Sequence, residues 1–340
     1  MPIKTKPLLF LIASACVVIV LFGSVIGIVG KSIAGAIIFF SFIPLLDRHL
    51  GTARFLLVDL LFDSIIVNAY IFVRFGRIIH YNLGDDLNWY LVKKLQRKKI
   101  SLLKAPILDL CSFFKEDNYL IIGSTITWMA NEKTVIWGAG VMDEDQPLKA
   151  KPKKVCAVRG PLSRKYLLEK GVNCPEVYGD PALLMKYFYK PNAKKRYKLG
   201  VIPHYIDFKS GKFDALKNNS DVLFIKMQDY KSVQDVIDQI ASCEMILSSS
   251  LHGLILSETY DVPNIWMKVS DNIAGGAFKY LDYYESMGIH DAVPYLLSGN
   301  ESEDDLVNLF SGYKKGSIDL KPLVKAAPFE LNIMPEDIGK

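Results

Sequence analysis

Apolar positions along this chain follow two different rules, and the change falls near residue 76. Between Leu8 and Leu46 a single charged residue, Lys31, interrupts the apolar run. Residues 8–30 are long enough to cross a bilayer as a helix, which takes about 20 apolar residues. Residues 33–46 form a shorter run, with Lys31 and Ser32 between the two. Lys4 and Lys6 flank one end, and Arg48 and Arg54 the other. Those basic flanks predict a membrane hairpin with both ends in the cytoplasm. A single span and a secretory signal are the competing readings, but the run is too long for a signal core and no cleavage site closes it. A third apolar stretch, residues 55–73, carries Asp59 and Asp63 on one helical face. It predicts an amphipathic helix at the membrane surface or on the body.

Beyond residue 76, short runs rich in β-branched residues alternate with helical periodicity, the pattern of an α/β fold with a parallel sheet. Strands are expected at 77–81, 119–122, 134–137, 154–158, 199–202, 222–225, 245–247 and 264–268. Helices are expected at 87–95, 161–170, 232–242 and 251–260. In the second of these, Pro161 stands at the first helical position and Gly171 just past the end, as helix chemistry prefers. Residues 186–198, basic around Pro191, read as a solvated linker between two halves. The expected organisation is therefore a membrane segment over 1–50, an amphipathic connector over 51–76, two α/β halves over 77–190 and 191–315, and a tail over 316–340.

Composition narrows the function classes. At 340 residues the chain has room for about two domains. A formal net charge of +5 is too mild to indicate nucleic-acid binding. The five cysteines are scattered, with no C-x-x-C spacing, so neither a disulfide framework nor a zinc site is indicated and a reducing compartment fits.

In open α/β sheets ligands collect where strands end and helices begin. The strongest such junction runs from Met245 through Ser248, Ser249 and Ser250 to Leu251, His252 and Gly253. Serine hydroxyls and the free amides of a helix N-terminus make an anion site, and His252 can add a proton donor there. A capping serine with a structural histidine is the plainer alternative. At the second junction, Arg159 ends a strand before Gly160 and Pro161. It can grip a carboxylate or phosphate with its fork, or serve as a salt-bridge partner. Asp85 or Asp86 suits a helix cap after Gly84; Asp180 precedes a turn into a helix, His204 sits at another strand end, and Lys279 lies in an aromatic-rich stretch.

Six of these segments occur in one order: Asn82-Leu83-Gly84-Asp85-Asp86-Leu87-Asn88, Trp137-Gly138-Ala139-Gly140, Val158-Arg159-Gly160-Pro161, Tyr178-Gly179-Asp180-Pro181-Ala182, Pro203-His204-Tyr205 and Ser249-Ser250-Leu251-His252-Gly253. Their order and separations resemble the polysaccharide pyruvyl transferase family over about residues 77–290. The N-terminal apolar region lies outside the resemblance and is not typical of that family.

The resemblance implies two Rossmann-like halves similar to the B-type glycosyltransferase fold, here preceded by an N-terminal transmembrane helical region. It implies transfer of a pyruvyl group from phosphoenolpyruvate to a sugar diol of a cell-surface polysaccharide or its precursor, giving a pyruvate ketal. Carried over by position, His252 and Leu251 lie in the donor pocket with Ser249 and Ser250, and His252 is the catalytic residue. Arg159 grips the donor, as does Lys279, matched through the Phe-Lys-Tyr-x-Asp-Tyr stretch. Phosphoenolpyruvate is the donor substrate; no further cofactor, metal or nucleic acid is implied. The expected partners are that donor, a glycan acceptor (free or lipid-linked) and the membrane, with the catalytic body facing the cytoplasm. A glycosyltransferase using a nucleotide sugar is the alternative, recruiting Glu258 or Asp261 for the ribose.

Overall fold

The computed structural model describes residues 64–74, 77–79, 82–96, 99–103 and 117–339. Its first half opens with β1 Ser64–Asn68, the short strands β2 Phe72–Arg74 and β3 Arg77–Ile79, and helix α1 Leu83–Leu95. It continues with β4 Lys99–Leu103, β5 Asn118–Leu120, β6 Thr134–Trp137, β7 Lys154–Ala157 and α2 Pro161–Glu169. The second half holds β8 Tyr197–Ile202, β9 Val222–Phe224, α3 Val233–Ala241, β10 Cys243–Ser248, α4 Leu251–Thr259, β11 Asn264–Lys268, α5 Phe278–Ser286 and β12 Tyr295–Leu296. Two five-stranded sheets result, ordered β4-β1-β5-β6-β7 and β12-β11-β10-β8-β9. Every pairing within them is parallel. Among the described strands, β2 and β3 pair antiparallel, as a separate ribbon.

The α/β expectation with parallel sheets holds, and the expected membrane part of the fold does not. No helix among the described residues is long and apolar enough to cross a membrane. The longest of them, α1, has 13 residues, about 20 Å of rise against a hydrocarbon core of about 30 Å. The described architecture is thus an α/β body of two parallel sheets, and no described helix supplies the expected transmembrane part. Residues 1–50, where the hairpin was expected, lie outside the described residues, as do Asp59 and Asp63.

The amphipathic connector is corrected as well. Ile65, Ile66 and Val67 are buried in β1, which pairs with β4 on one side and β5 on the other. A strand buried on both faces reads as a continuous apolar run, which periodicity alone does not separate from a helix. Its β-branched content is what suits it to the sheet.

Helix α3 shows the ordinary amphipathic logic. Val233, Val236, Ile237 and Ile240 are buried along one face, and Ser232 caps the start by accepting from Asp235 N at 3.1 Å. Helix α4 is different: Leu251, Leu254, Ile255 and Leu256 are all buried, so apolar side chains surround it. Such a helix is a core element. It lies against β10, β11, α3 and the 3-10 helix Pro181–Tyr187. That placement sets its N-terminus at the carboxyl ends of the sheet strands.

The two halves interlock. Helix α5, from the second half, packs on α2 of the first. Residues expected as a C-terminal tail run back as well: Trp137 Nε1 donates to Leu323 O at 2.9 Å, Leu331 bridges Gln96, and Leu323 and Ile333 are buried.

Candidate functional site

Loops leaving β5, β8 and β10 at their carboxyl ends line one cavity of about 390 Å³, together with the start of α1 and the start of α5. This is the place where a parallel sheet collects ligands.

Asn82, Asp85, Ser124, His204, Ser250, Leu251, His252 and Lys279 all contribute to its wall. Ser250 is the N-cap of α4 but makes no side-chain capping bond. The first turn of α4 therefore has no capping side chain, and Ser250, Leu251 and His252 at its start line the cavity. Ser249 is built in behind them: its hydroxyl accepts from His204 N at 2.8 Å and its carbonyl from the Tyr280 hydroxyl at 2.7 Å. Ser249 is fully buried and positions the loop, whereas Ser250 and Leu251 reach the cavity.

His252 has a side chain only 12% exposed. Its Nε2 points at Asp180 Oδ2 across 3.9 Å, and neither atom has a hydrogen-bond partner among the described residues. Burial, then the cations Arg159 and Lys279, lowers the His252 pKa to about 3, so the ring is neutral at working pH. On its other side the ring meets Gly84. A Cβ built on that glycine would lie 2.1 Å from His252 Nδ1. Only the absence of a side chain lets α1 approach so closely.

Asp180 is wholly buried and caps the 3-10 helix through Oδ1, which accepts from Ala182 N at 2.9 Å. Burial raises its pKa to about 6, against the opposing Ala182 hydrogen bond and the Arg159 charge, with Asp282 adding to the rise. Lys279 is mostly buried and donates to Ala274 O at 3.1 Å; burial, then Arg159, lowers its pKa to about 8. His204 is lowered to about 4 by burial and then by Lys279.

Arg159 departs from its expected role. It is fully buried and is not part of the cavity wall. Its Nε donates to Asp282 Oδ2 at 2.9 Å and its NH2 to Val141 O at 2.8 Å, while NH1 donates to Ser124 Oγ. Asp282 also accepts from Ser163 N and Ser163 Oγ, at 2.8 and 2.7 Å. The fork expected to grip the donor holds α5 to the end of β7 instead. It reaches the cavity through Ser124: having accepted from Arg159, that hydroxyl is free to donate its own hydrogen outward.

The first motif is also rearranged relative to expectation. Asn82, not Asp85 or Asp86, caps α1, accepting from Gly84 N at 3.3 Å and donating to Asp85 Oδ2 at 2.8 Å. The helix consequently starts at Leu83, four residues before the expected Leu87. Asp86 takes the Tyr230 hydroxyl, and Asn88 is tied to the backbone of Ile122 in both directions, at 2.9 and 3.0 Å. Asp85 alone of these acids faces the cavity.

A model of the polysaccharide pyruvyl transferase family matches residues 62–271. The chain belongs to the polysaccharide pyruvyl transferase family. It is 29% identical over 246 residues to the uncharacterized protein L143 of Acanthamoeba polyphaga mimivirus, covering 68% of this chain and 82% of that relative. It is 27% identical over 221 residues to the succinoglycan biosynthesis protein ExoV of Rhizobium meliloti, covering 62% of this chain and 63% of that relative. The residues matched to the family begin just before strand β1, include Asp180 and His252, and stop short of α5 with Lys279 and Asp282.

Within this pyruvyl transferase fold, the residues considered for a nucleotide sugar lie elsewhere. Glu258 Oε2 takes the Asn264 amide and the Tyr313 hydroxyl, both at 2.9 Å, and exposed Asp261 pairs with Lys315. Neither lines the cavity. Tyr70, Ser124, Trp128 and Met142 are among the wall residues that carried no sequence signal. Tyr70 and Trp128 meet edge to face at 5.4 Å, and His204 and Tyr205 pair at 4.3 Å. Trp128 lies in the short helix Ile126–Met129 and the others in loops, and their contribution appears only after both sheets are folded.

Proposed function

We propose that this protein moves the pyruvyl group of phosphoenolpyruvate onto two hydroxyls of a glycan, closing a pyruvate ketal and releasing phosphate. One observation carries the reading: His252, Lys279 and the uncapped first turn of α4 converge on a single cavity wall. Phosphoenolpyruvate brings a carboxylate and a phosphate. The amides of a helix N-terminus and a partly buried ammonium suit those groups. The Ser124 hydroxyl, oriented by Arg159, supplies a further donor.

The balance of the reaction fixes what the side chains must do. The first sugar hydroxyl attacks carbon 2 of the donor and gives up its proton, while carbon 3 gains one and becomes a methyl group. The carbon–oxygen bond to phosphate then breaks, and the second hydroxyl adds at carbon 2, its proton leaving with phosphate. A neutral imidazole at the wall is the group able to take the first proton. Aromatic rings at the wall, Tyr70, Trp128 and Tyr205, offer flat apolar faces for the sugar.

The test is turnover of carbon-labelled phosphoenolpyruvate with a panel of diol-bearing oligosaccharides, read as phosphate release and as a ketal methyl signal. His252→Gln should reduce turnover by about 10²–10⁴ while binding of the donor, measured by calorimetry, persists. Absence of donor binding to the wild-type protein overturns the reading. Turnover of a nucleotide sugar under the same conditions assigns the alternative donor.

A further inference from the structure

Two buried polar atoms face each other behind the cavity wall and have no other partner. His252 Nε2 and Asp180 Oδ2 lie 3.9 Å apart, both cut off from solvent and both without a hydrogen bond among the described residues. Buried polar groups are almost always paired, so two orphans aimed at one another point to a contact that completes in another state. Catalytic hydrogen bonds are often long in a free enzyme and tighten when substrate is bound.

The surroundings are built to keep the two in register. Asp180 Oδ1 is fixed on Ala182 N at 2.9 Å, which leaves Oδ2 as the free oxygen. His252 is held on its other side by Gly84, whose missing side chain leaves room for Nδ1. Asn82 and Asp85, which flank that glycine, line the cavity. Nε2 therefore faces Asp180, and Nδ1 lies against α1 at Gly84, between the cavity-lining residues Asn82 and Asp85.

We infer that Asp180 and His252 form a dyad in which the carboxylate holds the imidazole proton on Nε2, leaving Nδ1 as the base that takes the proton of the attacking sugar hydroxyl. The inference rests on the transfer reading above. In the step it describes, the hydroxyl oxygen forms its bond to carbon 2 as its proton passes to Nδ1, the carbon 2–carbon 3 π bond breaks and carbon 3 takes a proton from solvent. The imidazolium so formed is stabilised by Asp180 at Nε2 and returns its proton to solvent before the next turnover. Asp180 keeps its negative charge and acts as a positioning residue. Such a carboxylate sets tautomer and orientation, in the manner of the acidic member of a hydrolase triad. The charged groups facing the pair are Arg159 after β7, Lys279 and Asp282 on α5, and Asp85 on α1. Burial raises Asp180 to about 6, so the carboxylate is available above that pH and lost below it.

Imidazole-nitrogen NMR on the full-length protein, with ring-labelled histidine, reads the tautomer directly. The chain has five histidines, and His252→Gln assigns the relevant signal. At pH 7.5 the His252 proton should sit on Nε2 in the wild type. Asp180→Asn keeps the oxygen that caps the 3-10 helix but presents an amide donor to Nε2, so the proton should move to Nδ1. The same variant should lose about 10²–10⁴ in kcat, keep its donor Kd within threefold, and lose the acidic limb of the kcat profile near pH 6. A merely structural Asp180 would leave tautomer and acidic limb unchanged. A proton on Nδ1 in the wild type overturns the dyad whether or not Asp180→Asn folds, as does wild-type kcat in Asp180→Asn. Should the wild type prove inert toward phosphoenolpyruvate while the tautomer switch holds, it is the donor assignment that falls.

Discussion

Replacing Gly84 by alanine separates packing from chemistry at the site. Gly84 lies in the first turn of α1, where alanine is the better helix former by about 1 kcal/mol. Judged by helix propensity alone, the change stabilises. The new Cβ, however, would sit 2.1 Å from His252 Nδ1, 2.6 Å from Cε1 and 2.7 Å from Cγ. Ordinary contact begins at 3.4 Å, so the ring must retreat by about 3.4 − 2.1 = 1.3 Å. Overpacking of this kind costs about 1–3 kcal/mol, offset in part by the helix gain. The net loss of stability is within about 2 kcal/mol, a few degrees in Tm for a body of this size. A 1 Å displacement of a reacting group can cost about 10² in rate. Gly84→Ala should thus melt within a few degrees of wild type and bind the donor normally, yet release phosphate about 10²-fold more slowly. The assay is steady-state phosphate release with a diol acceptor beside a calorimetric donor Kd and a thermal melt. Wild-type turnover in a well-folded Gly84→Ala would refute the placement of His252 against α1.

Arg159→Lys removes a fork that serves Asp282, Ser124 and Val141 at once. Disrupting a buried pair costs about 3–5 kcal/mol, so a thermal melt should drop well below wild type; an unchanged Tm would contradict the buried clamp. Lys279 is held near 8 by burial and Arg159, so its positive charge is present below that pH and lost above it. Donor affinity should fall as pH rises through about 8, and Lys279→Met should flatten that dependence. A wild-type affinity that is level from pH 7 to 9 would remove Lys279 from donor binding.

Much of the sheet architecture was legible because it is local. Strands β6 and β11 match their expected limits residue for residue, β6 as a β-branched and aromatic run and β11 around the apolar Ile265, Trp266 and Met267. The junction at Ser250, Leu251 and His252 was legible for the same reason: a strand, a cap and a helix follow one another in the chain. Two kinds of feature were not. Strand β1 is apolar on both faces and lacks the alternation that marks a half-exposed strand, so it passed for helix. The partner of Arg159 lies 123 residues away; a strand-end arginine looks the same in sequence whether it grips a ligand or a buried aspartate. Asp180 belongs to both kinds, since its capping role is local and its approach to His252 requires α4 to be in place.

Helix α5 places Lys279 in the cavity and, one turn later, Asp282 on Arg159 of the opposite half. A hinge opening between the halves would have to break that solvent-free ion pair and the two bonds from Ser163. The clamp is therefore expected to hold the cleft at a fixed width, with Tyr70, Tyr205 and Ile206, all at least partly exposed, forming its rim. The same clamp ties the two sheets together, so calorimetry should show a single unfolding transition in place of two.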